Sequence, residues 1–287
     1  MAITVGSNIA SLRAQSRLDK TDRALGKTFE KLSSGFRINT ASDDAAGLAI
    51  ADDLKAKIRI GQIAVRNAND GISTISIADA ALGEVQGVLS RLGELAEQSA
   101  SGTFSSAQRS ALQSEFTALS SEIERIAVTT EFNGIKLLSG STSITLQVGF
   151  DSAATSRVTI ANSNGTLAGL GLGLVTSVLT YSLNAANGVT AESQSASRNA
   201  LDAVTGAIQS LSQMRGSLGA TESRLNLAVN NLSVARENFA AAESRIRDLD
   251  IAEETAQLTR LNILQSAGAA ILAQANQAPT LALKLLS

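Results

Sequence analysis

The sequence predicts a mainly α protein: a long coiled-coil-like helical rod, formed by both chain halves folding back on one another, with one small β-hairpin. Three observations predict it. Aromatic residues make up only 3% of the chain and there is a single Pro, while Ala, Ser, Leu, Asn and Gln dominate. A globular core usually draws much of its area from aromatics, whereas small side chains suit close helix packing. Apolar residues recur at a seven-residue spacing in both halves. The longest such repeat, in the C-terminal third, finds a partner of matching length only in the N-terminal half.

The elements follow in order. From Ile3 to Leu32 the pattern is amphipathic, with Leu18, Leu25 and Leu32 seven apart and Ile9, Leu12 and Phe29 on neighbouring turns. Ser33, Ser34 and Gly35 break that helix. Extended chain then runs to Ser42, Asp43 and Asp44, where Ser or Asp caps a long second helix. Within it Leu54, Ile58, Gly61, Val65, Ala68, Ile72 and Ile75 alternate by four and three. The register slips near Ser76 to Asp79 and resumes with Leu82, Val85, Leu89, Leu92 and Ala96. At 1.5 Å per residue, Asp44 to Ser99 would reach about 80 Å.

Ser101 and Gly102 end the second helix, and a third, Ser106 to Val128, carries Leu112, Phe116, Leu119, Ile123 and Ile126. Glu131 to Gly134 reads as a turn. Ile144 to Val148 and Arg157 to Ile160 alternate with period two and form the hairpin. Chain rich in Gly, Leu, Ser and Asn fills Ala161 to Thr190.

The clearest periodicity comes next. Val204, Leu211, Leu218, Leu225, Leu232, Phe239 and Ile246 fall at an unbroken seven-residue spacing, with Met214, Ala228, Ala235, Ala242 and Leu249 in the second seam. Such a sustained period implies left-handed supercoiling against partner helices. The rod core is therefore assigned to those seven residues together with Leu54, Ile58, Val65, Ile72, Leu82, Val85 and Leu89. A fully enclosed Phe239 would cost roughly 3–5 kcal/mol to truncate.

The last segment, Ala252 to Ala278, is helical in propensity yet nearly uncharged after Arg260. Gln265, Gln274, Asn276 and Gln277 are interspersed with Leu264, Ile271 and Leu272. Those amides and Pro279 argue against a membrane span. With so little charge the helix has no good face for water, and Ile3 to Leu32 is too short and polar to cover it. It calls for burial among neighbouring copies of the chain.

Composition removes other classes. Without Cys or His the usual zinc, copper, haem and thiolate sites are excluded, and no cofactor is expected. A net charge of −2 offers no field for nucleic acid. The apolar stretch Leu167 to Leu183 falls short of the roughly 20 residues that span a bilayer. No cleavable signal is read at the N-terminus. Gly169, Gly171 and Gly173 lack the spacing of a nucleotide-binding loop. An enzyme would have to use carboxylates, yet nine residues of helix set Asp43 and Asp44 nearly opposite Asp52 and Asp53. Helix capping and a solvated or intersubunit face account for the two pairs.

At both ends the residues resemble a known family. The run Leu32-SSGFRINTASDDAAGLAIA-Asp52, with Arg66-NANDGIS-Thr74 and Thr129-TEFNGIKLLSG-Ser141, is similar to the N-terminal signature of bacterial flagellins. Glu243-SRIRDLDIAEE-Thr255 and Ile263-LQSAGAAILAQANQA-Pro279 resemble the C-terminal one. The resemblance covers about residues 1–140 and 195–287. It implies a structural, non-enzymatic subunit that self-assembles into the flagellar filament for motility, outside the cell. A hook–filament junction protein of the same family and a non-flagellar coiled-coil interaction protein are the alternatives.

The resemblance also implies a domain plan. Residues 1–43 with 248–287 would form inner-tube helices, largely disordered before assembly. Residues 44–190 with 191–247 would form the rod domain, including a short variable region at about 141–190 and no large outer domains. Inner-core assembly falls to Ile9, Leu18, Leu25, Leu32, Leu264, Ile271, Leu272, Leu283, Leu285 and Leu286. The implied partners are further copies of the chain, the flagellar type III export apparatus, an export chaperone at the C-terminus, the filament cap and hook-associated proteins. Animal innate immune receptors bind many members at the second helix. Arg91, Leu95 and Glu115 match the recognised positions, whereas Ser90 and Gly93 depart from them. The family's apolar C-terminal tail is also altered, with Thr280 and Ala282 in place of its usual residues.

Overall fold

The structure, a computed structural model, describes residues 8–140, 143–173, 180–184 and 190–286, with the backbone alone for residues 190 and 278–286. Five helices dominate the described residues: α1 (Ile9–Ser34), α2 (Ala45–Ala100), α3 (Ser106–Thr129), α4 (Thr190–Arg247) and α5 (Ile251–Leu286). Between α3 and α4 lie two antiparallel strand pairs, β1 (Glu131–Phe132) with β2 (Ile135–Lys136) and β3 (Ile144–Gln147) with β4 (Arg157–Ile160). The fold is mainly α, with the hairpin where period-two alternation predicts it. The chain divides into two compact units, residues 1–59 with 236–287 and residues 60–235.

Side chains and glycines set the helix ends. Asn8 accepts from the Ser11 N–H at 3.1 Å to open α1, and Gly35 closes it at φ +73°, where a left-handed backbone favours glycine. Asp44 accepts from Gly47 N at 2.9 Å at the start of α2. Ser105 and Gln108 form a reciprocal capping box on α3. Asp250 accepts from Ala252 and Glu253 N–H groups to start α5.

The 60–235 unit is an antiparallel three-helix bundle. Along α2 and α4, Gly71 meets Leu225, Asp79 meets Arg215, Gly93 meets Val204 and Ser99 meets Ser197, so one number falls as the other rises. Arg91 with Glu115, and Ser99 with Arg109, set α3 antiparallel to α2 in the same way. Ile75, Leu82, Leu89, Leu92, Phe116, Ile123, Val204 and Leu211 fill the centre. The hairpin adds Val158 and Ile160 from one face, and Asn67 ties it to α2 by donating to the Gln147 carbonyl at 3.0 Å.

Two assignments change. The predicted register slip in α2 does not occur. The buried seam runs Gly61, Ala64, Ala68, Gly71, Ile75, Ala78, Leu82, Val85, Leu89, Leu92, Ala96 and Ser99, alternating by three and four throughout. Leu54, Ile58, Val65 and Ile72 flank it and are half-buried. At Gly71 neighbours already fill the place a side chain would take: a Cβ there would collide with Leu146 Cδ1 and lie 3.2 Å from Leu225 Cδ1.

The second change concerns α4. Val204, Leu211, Leu218, Leu225 and Leu232 are buried, but Phe239 and Ile246 are only half-buried. The continuous core of the 60–235 unit takes α4 residues only as far as Leu225, with Ala228 and Val229 at its edge. Phe239 and Ile246 belong to the other unit, which has neither α3 nor the hairpin. Phe239→Ala is therefore expected to cost about 1–2 kcal/mol in urea unfolding, below the value for an enclosed Phe.

The remaining differences are local. Asn133 at φ +50° and Gly134 at φ +77° build a two-residue turn, so the Glu131 to Gly134 turn also pairs β1 with β2. Leu167, Leu170, Leu172 and Leu183, from the Gly-rich stretch, are buried in the bundle core. Glu124 accepts from Leu167 N at 3.0 Å and Gln113 from Leu183 N, which seats that stretch on α3. Gly171, at φ +78°, turns the backbone between these leucines. The backbone of α5 continues past Ala278 through Pro279. Among the described residues, no helix is long and apolar enough to cross a membrane.

Candidate assembly surfaces

In the unit of residues 1–59 and 236–287, α1 and α5 pack antiparallel. Asn8 Nδ2 donates to the Ala275 carbonyl at 2.8 Å, Ser11 Oγ to Asn276 Oδ1 at 2.7 Å, and Gln265 Nε2 to Asp22 Oδ1 at 2.8 Å. Gly268 lets Leu18 approach, since a Cβ there would lie 3.4 Å from Leu18 Cδ1. Among the described residues the pair encloses little: Ala14, Thr28 and Leu261 are its buried side chains, with Leu18, Leu25, Leu32 and Leu272 half-buried.

The outer faces stay open. Ile9, Leu12, Phe29, Ile251, Ile263, Leu264 and Ile271 are exposed, Ile271 at 60%. Two helices can cover only one face of each other, so this apolar area faces water in the isolated chain. Burying each such side chain would contribute roughly 1.5–3 kcal/mol. Of the expected inner-core set, Leu18 packs at Gly268 between α1 and α5 and Leu25, Leu32 and Leu272 are half-buried, while Ile9, Leu264 and Ile271 are exposed. The side chains of Leu283, Leu285 and Leu286 lie outside the described residues.

The connections at the inner ends of α1 and α5 are clasped together. Arg37 N donates to the Arg247 carbonyl at 2.7 Å, and Leu249 N to the Gly35 carbonyl at 3.1 Å. Arg37 Nη2 also donates to the Ile246 carbonyl at 2.6 Å. The Arg247 guanidinium lies 4.4 Å from the Phe36 ring centroid and 3.7 Å from an Asp52 oxygen. The carboxylate pairs weighed as catalytic have structural partners here. Asp43 accepts from Asn39 and Thr40, Asp44 caps α2, and Asp53 pairs with Lys57 at 2.8 Å.

The three receptor-matching positions separate. Arg91 and Glu115 are exposed and joined across α2 and α3, Arg91 Nε and Nη2 donating to Glu115 Oε1 at 3.0 and 2.8 Å. Glu94 takes a third bond from Arg91, at 2.8 Å. Leu95, by contrast, is 0% exposed and part of the bundle core. It has no surface to offer a partner; it supports the patch from beneath, because on this helix it falls on the buried side.

Sequence reasoning gave Arg109 no role. It is 1% exposed and donates from Nε to the Phe104 carbonyl, from Nη1 to Ser99 and from Nη2 to Ser101. The guanidinium thereby satisfies carbonyls at the C-terminal end of α2, where the helix dipole favours positive charge. A charged residue beside a Ser-Gly break was the only available signal.

Several carboxyl groups are held below their ordinary range. Hydrogen bonds from Arg215 to Asp79, at 2.7 and 3.1 Å, outweigh the opposing effect of burial there. Arg125 lowers Glu122 in the same way, and the Ser156 hydroxyl lowers Asp151. A depressed folded pKa stabilises above the unfolded value, and that contribution is lost as pH falls through the folded one. The 60–235 unit should therefore lose thermal stability as pH drops below about 4, and Asp79→Asn should flatten that fall in a melting-versus-pH series.

The chain matches two family models, the bacterial flagellin N-terminal helical region over residues 5–143 and the bacterial flagellin C-terminal helical region over residues 201–286. It is 43% identical over 282 residues to a flagellin of Halalkalibacterium halodurans, covering 98% of this chain and 99% of that one. To the flagellar filament 33 kDa core protein of Treponema phagedenis it is 37% identical over 289 residues, with 98% and 99% covered. Its fold is also similar to that of a solved protein from Vibrio parahaemolyticus described as a putative flagellar hook-associated protein. There the TM-score is 0.57 at 16% identity, over 72% of this chain and 100% of that one.

Proposed function

Because this chain belongs to the bacterial flagellin family, we propose that it polymerises through the open faces of α1 and α5. It is a structural subunit of the flagellar filament, an extracellular appendage. Near-full-length identity to flagellins favours the filament subunit over a junction protein. The observation that carries the assembly reading is the row of exposed large side chains on α1 and α5, Ile9, Leu12, Phe29, Ile263, Leu264 and Ile271. Covered by neighbouring copies, these faces gain the apolar burial that the two-helix pair lacks, and head-to-tail contacts that do not close give a helical polymer.

On this reading residues 1–43 with 248–287 form the inner layer and residues 44–247 the surrounding rod. The chain acts by assembly, not catalysis. It leaves the cell through the flagellar export apparatus with a chaperone on its C-terminal segment, and meets the cap and hook-associated proteins at the filament ends. Seeded polymerisation of heat-dissociated protein, followed by helical reconstruction, tests the assembly reading. Filaments with both termini around a central channel are expected; seeds that do not elongate in the presence of folded monomer would overturn it.

Recognition by an innate receptor is proposed at the Arg91–Glu115 patch, with Leu95 as support. Monomer should activate a receptor-bearing reporter cell, and Arg91→Ala should weaken the response. Silence with wild-type monomer would end this part.

A further inference from the structure

Two Asn-Gly pairs among the described residues stand in opposite surroundings. Asn133 and Gly134 form the turn between β1 and β2, at φ +50° and φ +77°, and both are exposed. Among the described residues neither the Asn133 side chain nor the Gly134 N–H has a hydrogen-bond partner. No atom lies within 4 Å of the place a Cβ on Gly134 would take, so no neighbour crowds the turn. The strands it joins are each two residues long, and so short a ladder opens at little cost. At Asn164 and Gly165 the corresponding groups are engaged. Gly165 N donates to the Leu138 carbonyl at 2.9 Å, and Asn164 Oδ1 accepts from Thr166 N at 3.2 Å and Thr166 Oγ1 at 2.7 Å. Gly165 is buried, and a Cβ there would lie 3.3 Å from Leu82 Cδ2 on α2. A third pair, Asn187 and Gly188, lies outside the described residues.

We propose that Asn133 is a site of spontaneous deamidation in the folded chain, and that the fold protects Asn164 from the same reaction. The Gly134 nitrogen, its proton lost to solvent, attacks Asn133 Cγ. The new N–C bond closes a succinimide ring, and the side-chain amide leaves as ammonia. Water then opens the ring on either side. One opening leaves an aspartate in place of the amide; the other leaves isoaspartate, with the main chain running through the side-chain carbonyl. Water is consumed and ammonia released, and neither an enzyme nor an oxidant is required. Gly at the following position favours the attack, because it carries no side chain to block it and lets the backbone swing out of the left-handed turn. At Asn164 the Leu138 and Thr166 hydrogen bonds must first break, together with the packing on Leu82, which is a local unfolding. The product at Asn133 places a new carboxylate between the paired Glu131 and Lys136, and it accumulates with time.

To test this, wild-type monomer is incubated at mildly alkaline pH, folded and in guanidinium chloride, and digested with trypsin at intervals. A sample taken at the start supplies the background. Cleavage after Arg125 and Lys136 puts Asn133 in the peptide 126–136, and cleavage after Arg157 and Arg198 puts Asn164 in 158–198. Fragment masses then locate each new acid. In the folded chain Asn133 should convert about tenfold faster than Asn164 or more, since Asn164 must wait for its segment to open. In guanidinium the two rates should converge, because the reacting dipeptides are the same. Equal rates in the folded chain would overturn the proposal. So would a difference that persists undiminished in guanidinium, which would trace it to sequence neighbours and not to the fold. In Asn133→Gln the longer side chain has to close a larger ring, so the 126–136 peptide should stay unconverted; conversion at the wild-type rate would overturn the succinimide route. Every readout is taken on monomer, so failure of the assembly reading leaves this proposal untouched.

Discussion

Ile271→Asp is expected to stop elongation from filament seeds while leaving the thermal unfolding of the 60–235 unit unchanged. Ile271 is 60% exposed on α5 and belongs to the other unit, so the substitution removes nothing from the bundle core. In the monomer the new carboxylate stays in water. In a filament that covers this face it becomes a buried charge without a partner, at a cost of roughly 3–5 kcal/mol. Since 1.4 kcal/mol is a factor of ten, the critical concentration should rise by about two to four orders of magnitude. Leu272→Asp makes the contrasting case: Leu272 is half-buried, so its change should block assembly and also loosen α5 from α1. Sedimentation of seeded mixtures measures the first effect, and circular dichroism melting the second. Normal filaments from Ile271→Asp would remove α5's outer face from the assembly surface.

Arg109→Ala should be among the most destabilising single changes in the 60–235 unit. It leaves the Ser99, Ser101 and Phe104 carbonyls without the donor that now satisfies them, and it vacates a site that is 1% exposed. Lost charged hydrogen bonds, unsatisfied carbonyls and the cavity together should cost roughly 3–5 kcal/mol. At about 2–4 °C per kcal/mol for a domain of this size, the melting temperature should fall by roughly 10 °C. Arg109→Lys should recover only part of that, because an ammonium cannot reproduce the planar fork of donors. A melting temperature unchanged by Arg109→Ala would mean that water serves the α2 terminus equally well.

Much of the architecture was legible because helices announce themselves locally. Seven-residue spacing, the Ser-Gly breaks and the Ser42 to Asp44 cap placed α2 and α3 and the end of α1 to within a few residues, whereas the backbone of α5 runs eight residues past Ala278. Period-two alternation located β3 and β4. The inner ends of α1 and α5 were less legible. Their clasp joins Arg37 to Arg247 and Phe36 to Asp248, residues about two hundred positions apart, which no local pattern pairs.

Two of the errors share one cause. Reading large apolar residues as core made α2 appear to change register near Asp79. The packed seam instead passes through Ala64, Gly71 and Ala78 rather than through Val65 and Ile72, and at Gly71 the Leu146 and Leu225 side chains supply the volume. The same habit enclosed Phe239 and Ile246, although the bundle's continuous core stops short of them on α4. Leu95 came to the receptor set by resemblance alone, and its place on the inner side of α2 buries it completely.

By itself the sequence determined the helices, their order and their family, because periodicity, capping and signature motifs are carried by residues close together in the chain. Only the tertiary structure decided which apolar residues are core and which remain open to a neighbour. Burial depends on what another helix brings to the same place. Leu225 and Leu227 are the same residue type two positions apart, yet one is enclosed by α2 and the other faces out.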